Sequence, residues 1–246
     1  MPYTPRPNAP GYWLYDGLPV QADRATHEFV VNWASSKLSP GARVLDVAAG
    51  RGALTKALVD RGLKVSCTTW DGKVEVEVPS FFCDVDLPFD LATVGGQPFD
   101  LVCGIEIIEH SENPAGFLRS CASLLGEGGF MILSTPNVES AAARLQWMVH
   151  GRPASFARGE VERNRHISML WRDGLEHLIG LAGFEIVERH FPGADRLGKG
   201  PLSLVKRAVI GFMRATLRGD LDGTARLYVL RRTAAAGRKS GPGDVF

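Results

Sequence analysis

Val44-Leu45-Asp46-Val47 is an apolar run that passes without a break through Ala48-Ala49-Gly50-Arg51-Gly52 into Ala53-Leu54-Thr55-Lys56-Ala57-Leu58-Val59, which has helical spacing. A short apolar run bounded by turn residues suits a strand covered on both faces. A strand that leads straight into a helix returns as a parallel neighbour, so this one segment commits the chain to βαβ architecture. Gly50 and Gly52 let the backbone approach a ligand without interference from a Cβ, and the first amides of the helix face back toward the turn. Gly62 stops the helix. A tight strand-to-helix turn that holds no ligand has the same pattern.

The rest of the chain repeats the alternation. Strands are expected at Leu63 to Trp70, Ser80 to Cys83, Phe99 to Ile105 and Phe130 to Thr135, the last preceded by a helix from Pro114 to Leu125. This predicts an α/β fold with a doubly wound, mostly parallel sheet and a ligand at the carboxyl ends of the strands near the switch point. Helices are expected at Arg24 to Leu38, Ser140 to His150 and Arg172 to Ala182, with an Arg-rich loop at Gly151 to Ile167. Strands are also expected at Glu185 to Phe191 and Arg226 to Arg232, which the family resemblance given below implies as the last strand pair. The first ten residues, with prolines at 2, 5, 7 and 10, read as a disordered or clamping arm. The expected layout is an N-terminal arm and helix over 1–40 and a main domain over 41–233. That domain carries a segment near 140–170, which the family resemblance given below implies as a lid, and a helical insertion near 194–224, and a disordered tail is expected over 234–246.

With 246 residues and 45% hydrophobic content, the chain can bury one full α/β core. Its net charge of +1 gives no general argument for nucleic-acid binding, although eleven Lys or Arg stand against three Asp from residue 196 onward. Cys67, Cys83, Cys103 and Cys121 lack metal-ligand spacing and read as reduced core thiols. No signal peptide and no run of ~18 apolar residues is recognisable, so the expected location is the cytoplasm.

Four segments in order, VLDVAAGRG, FFCDVDLPFD, FDLVCGIEIIEH and LLGEGGFMILSTPN, resemble the class I S-adenosylmethionine-dependent methyltransferase family. The EH-x-x-x-P and STPN phrasing is most similar to its small-molecule O-methyltransferase branch, which includes ubiquinone-biosynthesis and saccharide-modifying enzymes. The resemblance implies a seven-stranded Rossmann-like sheet with an antiparallel last strand and S-adenosylmethionine as cofactor. It implies that Asp46 orients the glycine loop, and that Glu106 lines the methionine end of the cofactor. Asp84 would meet the adenine amino group beside the Val85 amide, or else cap a turn. Ala48 departs from the family, which has a glycine there and so a wider loop. Thr69 stands where an acid usually accepts from the ribose hydroxyls. Asp71 takes that role or is an exposed turn residue. Trp70 covers adenine or is core. The connection from Trp70 to Ser80 is too short for the usual crossover helix.

Methyl transfer to a hydroxyl needs alignment, exclusion of water and a base for the hydroxyl proton. His110, after the fourth strand, is the first candidate base and His166, in the lid, the second; a structural histidine bonding a loop carbonyl accounts for His110 equally well. Arg152, Arg158, Arg163 and Arg165 suit an anionic acceptor or a solvated loop. No metal is expected. Over 202–218, Leu202, Val205, Val209, Phe212 and Met213 mark one helical face and Lys206, Arg207, Arg214 and Arg218 another. This pattern fits peripheral contact with an anionic membrane, core packing or a dimer seam. The expected partner is a small-molecule or carrier-linked acceptor, with N- or C-methylation and a binding protein of reduced turnover as alternatives. Nucleic-acid methylation is disfavoured, because Gly104-Ile105-Glu106-Ile107 replaces the Asn/Asp-Pro-Pro-Tyr type motif.

Overall fold

The structure, a computed structural model, describes residues 2–7, 9, 11–194 and 200–233. The tail expected over 234–246 lies outside the described residues.

The chain forms α1 (Arg24–Lys37), β4 (Arg43–Asp46), α2 (Ala53–Val59), β5 (Lys64–Thr69), β6 (Ser80–Phe82) and β7 (Phe99–Ile105). It continues through α3 (Pro114–Leu124), β8 (Leu125–Pro136), α4 (Ala141–His150), α5 (Arg158–Asn164), α6 (Arg172–Leu181), β9 (Phe184–His190), α7 (Pro201–Thr216) and β10 (Ala225–Arg232). The seven-stranded sheet has the order β6-β5-β4-β7-β8-β10-β9, and β10 runs antiparallel to both of its neighbours. The expected Rossmann-like topology is therefore present. After β4 the chain builds outward through β5 and β6, then returns to add β7 on the other side, so the switch point lies between β4 and β7.

Strand alternation distributes the core to both faces. Val44 packs with Val30, Val31, Leu54 and Leu58 of α1 and α2. Its neighbour Leu45 packs in the opposite layer with Phe117, Leu118, Leu175 and Ile179 of α3 and α6. A third, smaller cluster joins Ala141 of α4 to Ile210 and Met213 of α7 and to Leu221. All four cysteines are buried and free. Among the described residues no helix is long and apolar enough to cross a membrane.

Three expectations are revised. Of the disordered or clamping arm expected over the first ten residues, the described part is ordered: β1 (Tyr3–Pro5), β2 (Trp13–Tyr15) and β3 (Leu18–Pro19) make a separate antiparallel sheet. Asp16 and Gly17, with φ of 48° and 83°, form the tight turn between β2 and β3. The Tyr3 hydroxyl meets His27 Nδ1 at 2.6 Å, and the Arg24 guanidinium lies 4.4 Å from the Trp13 ring, which docks this sheet on α1. Second, the loop expected over 151–167 contains a short 3-10 turn at 154–156 and the two-turn helix α5. Arg158 to Glu162 at 2.6 Å and Asn164 to Glu160 at 2.6 Å are pairs four residues apart that support that helix. Third, α7 buries Ile210 and Met213, whereas Val205 and Phe212 of the expected apolar face are exposed. Leu202's side chain lies outside the described ones.

Candidate functional site

The elbow after β4 is built on Asp46. Its buried carboxylate accepts from Thr55 Oγ1 at 2.7 Å, tying the strand end to the first turn of α2. Burial pushes the Asp46 carboxyl up to about 6, and the bonds from Thr55 oppose this. Ala48, Gly50 and Gly52 all have left-handed backbone, with φ of 56°, 57° and 95°. Ala48 therefore occupies a conformation that suits glycine, and its amide donates to Thr68 Oγ1 at 2.9 Å. A side chain on Gly52 would meet Val76 Cγ2 at 2.8 Å. The segment that replaces the crossover helix thus folds back onto the elbow, where Glu75 pairs with Arg51. The left-handed turn over a buried acid fits the amino-acid and ribose portions of an adenosyl cofactor.

Around the rim, Thr69 is buried at the end of β5, and its hydroxyl accepts from the Gly72 amide at 3.0 Å. Asp71 is exposed, and Lys73 at 2.8 Å holds its carboxyl below the usual range. Trp70 is also exposed, with its ring 5.4 Å from that of Phe82. Asp84 caps its own turn by accepting from the Asp86 amide at 3.0 Å, and half-buried Val85 packs on the core.

A cavity of about 800 Å³ opens beside the elbow. Gln21, Asp23, Glu106 and Asn137 are among its polar lining, while α4 and α7 contribute apolar Ala142, Leu145, Val149, Val205, Val209 and Ile210 together with Gln146, His150 and Lys206. Glu106 has φ of 50°, an unusual value for a non-glycine residue. Its carboxylate accepts from Ser134 Oγ at 2.7 Å, and burial, reinforced by the charge of Asp23, pushes it up to about 7.

His166 lines this cavity and His110 does not. The two rings meet edge to face with centroids 4.7 Å apart. His166 Nδ1 lies 2.7 Å from the Ser155 carbonyl, which can only accept, so in the neutral ring the proton sits on Nδ1 and the lone pair on Nε2. Burial and then neighbouring His166 lower His110 from the usual histidine value. Glu109, fully buried with neither carboxylate oxygen hydrogen-bonded and Oε1 4.0 Å from His110 Nε2, lies with His110 and His166 so that one ligand atom from each falls within 4.8 Å of the others. That is a donor set of the kind divalent cations take.

The expected acceptor-binding arginines are not in the cavity lining. Arg163 pairs with Glu160 at 3.5 Å, Arg165 with Asp86 at 3.4 Å and Glu112 at 3.2 Å, and Arg158 with Glu162, while Arg152 is exposed. Gln21, Asp23 and Asn137 were not among the residues expected from the sequence. Asn137 falls in the STPN segment, which was the only signal for it.

The chain matches the methyltransferase domain family over residues 18–189. It is 33% identical over 143 residues to a ubiquinone biosynthesis O-methyltransferase of Xanthomonas axonopodis pv. citri (strain 306). That alignment covers 54% of this chain and 59% of the relative, so the chain spans less than two thirds of the relative's length. The fold is similar to a SAM dependent methyltransferase from Archaeoglobus fulgidus, with TM-score 0.57, 15% identity and coverage of 84% of this chain and 94% of that one. A putative methyltransferase from Bacillus halodurans C-125 superposes with TM-score 0.55 at 19% identity, covering 83% of this chain and 98% of the other. With the sheet order, the elbow and the family match in agreement, the chain belongs to the class I S-adenosylmethionine-dependent methyltransferase family.

Proposed function

We propose that this protein transfers a methyl group from S-adenosylmethionine to a hydroxyl of a small or carrier-linked molecule with substantial apolar surface. The observation that carries this reading is the cavity beside the elbow, whose lining joins many apolar side chains of α4 and α7 to a histidine held by the Ser155 carbonyl. The apolar lining favours an aromatic or lipid-linked acceptor over a free saccharide. The O-methyltransferase in the name of the Xanthomonas relative supports a hydroxyl as the target.

Asp46, the left-handed elbow and Glu106 hold the cofactor end, with Thr69, Trp70, Asp71, Asp84 and Val85 along the adenosine side. Bound there, the cofactor supplies an electrophilic methyl on a sulfonium. The apolar residues of α4 and α7 exclude water and align the acceptor oxygen. His166 Nε2 takes the hydroxyl proton as the oxygen–carbon bond forms, and His110 packs against the His166 ring and keeps it in place. Exposed Leu204, Arg207 and Phe212 on the outer side of α7 fit contact with an anionic bilayer that holds a lipid-linked acceptor.

The test is formation of S-adenosylhomocysteine from S-adenosylmethionine with a panel of phenolic and lipid-linked hydroxyl acceptors. His166→Asn is expected to lower kcat by about 10²-fold or more while cofactor affinity is kept. Activity that is indifferent to pH and to this substitution would favour N- or C-methylation. Cofactor binding with no transfer to any acceptor pool would favour a binding protein.

A further inference from the structure

Gln21 lies where no motif points. It sits in the short segment between buried Val20, whose amide donates to the Trp13 carbonyl at 2.9 Å, and Asp23, which caps α1 by accepting from the Ala25 amide at 2.9 Å. Both ends of the segment are therefore anchored, and position 21 has little freedom to move. Its carboxamide reaches across to the elbow: a Cβ on Gly50 would lie 2.3 Å from Gln21 Oε1 and 2.6 Å from Nε2. The same side chain lines the cavity with Asp23 and Glu106. The N-terminal segment thus places one uncharged amide at the boundary between the glycine elbow and the acceptor cavity, with two carboxylates beside it.

We propose that Gln21 is a positioning residue that recognises the carboxylate at the amino-acid end of the cofactor, its side-chain N–H donating to that carboxylate. The inference rests on the cofactor reading of the elbow. The charge arrangement sets the polarity: the cofactor's ammonium is drawn to the carboxyl groups of Asp23 and Glu106, favouring the charged form of Glu106, and this leaves the cofactor's carboxylate to the neutral donor. It also accounts for glycine at position 50, because any side chain there would displace the amide. Held in this way, the amino-acid end fixes the direction in which the sulfonium methyl faces, toward the cavity.

The test is a calorimetric cycle on the full chain, with wild type, Gln21→Ala and Gln21→Glu each titrated with S-adenosylhomocysteine and with its decarboxylated analogue, which keeps the ammonium and lacks only the carboxylate. A hydrogen bond to a charged group is worth about tenfold or more in affinity. Gln21→Ala should weaken S-adenosylhomocysteine by about that factor and leave the decarboxylated analogue nearly unchanged. Gln21→Glu should weaken S-adenosylhomocysteine further through like-charge repulsion. Equal weakening of both ligands by Gln21→Ala means that the residue only supports the elbow, and overturns the proposal. Tighter binding by Gln21→Glu means that it faces the ammonium, and overturns it as well. A wild-type chain that binds neither ligand overturns the cofactor reading together with this one.

Discussion

Ala48 holds a left-handed backbone in the elbow, where φ of 56° strains any residue with a Cβ. Ala48→Gly removes that strain, at the cost of greater freedom in the unfolded chain. The expected net outcome is a gain of up to about 1 kcal/mol in denaturant unfolding, with cofactor affinity equal or higher because the loop widens. Asp46 poses the opposite case, a residue whose placement costs stability. Its carboxyl is raised to about 6 in the folded protein from 3.8 unfolded, so the folded state binds the proton more tightly. The associated stability is fully present below pH 3.8 and is lost as pH rises through about 6. Asp46→Asn should therefore stabilise the protein at pH 7 by roughly 2–3 kcal/mol, flatten this part of the pH dependence and weaken S-adenosylhomocysteine binding. Thermal unfolding from pH 4 to pH 8 measures the first effect and calorimetry the second.

At the scale of elements, α7 shows how a helix with apolar residues on several sides is oriented by its neighbours. Ile210 and Met213 meet Ala141 and Leu221, while Val209 and Ile210 also face the cavity. Phe212 is left 69% exposed. Replacing it removes apolar surface from solvent without opening the core, so Phe212→Ser should leave the melting temperature within about 1 °C and reduce sedimentation with anionic vesicles severalfold. Unchanged sedimentation would separate α7 from any bilayer. The little N-terminal sheet carries a related lesson. Its strands are two or three residues long and rich in proline, so local preference is weak. The Asp16-Gly17 turn joins two of them, and docking of Tyr3 and Trp13 on α1 completes the sheet.

For the whole molecule, Arg226 on β10 is the buried tie between the sheet, the start of α4 and the segment after α7. It pairs with Glu139, and with Asp220 at 3.1 Å, and it donates to Asn137 Oδ1 at 3.3 Å. Asn137 Nδ2 in turn donates to the carbonyls of Asp220 and Asp222. Removing the cation leaves two acids partly buried without it, so Arg226→Met should cost about 3–5 kcal/mol in denaturant unfolding. The cavity wall depends on the same tie, and acceptor affinity should fall in parallel.

The sequence by itself determined where the seven strands of the main sheet and most of the helices fall, because the periodicity of apolar residues and the glycine and proline stops act within a few residues, and its family resemblance implied the antiparallel last strand. It also determined the elbow, including the irregular Ala48, because a strand running straight into a helix permits few backbone paths. Only the tertiary structure decided which surfaces meet. Arg163 is engaged with Glu160 of its own helix, and Arg165 with Asp86 and Glu112, carboxylates of distant segments that the fold brings within reach. His166 rather than His110 faces the cavity, and Gln21 reaches Gly50 from 29 positions away in the chain. These outcomes depend on the relative placement of distant segments, which long-range packing sets and local preference does not encode.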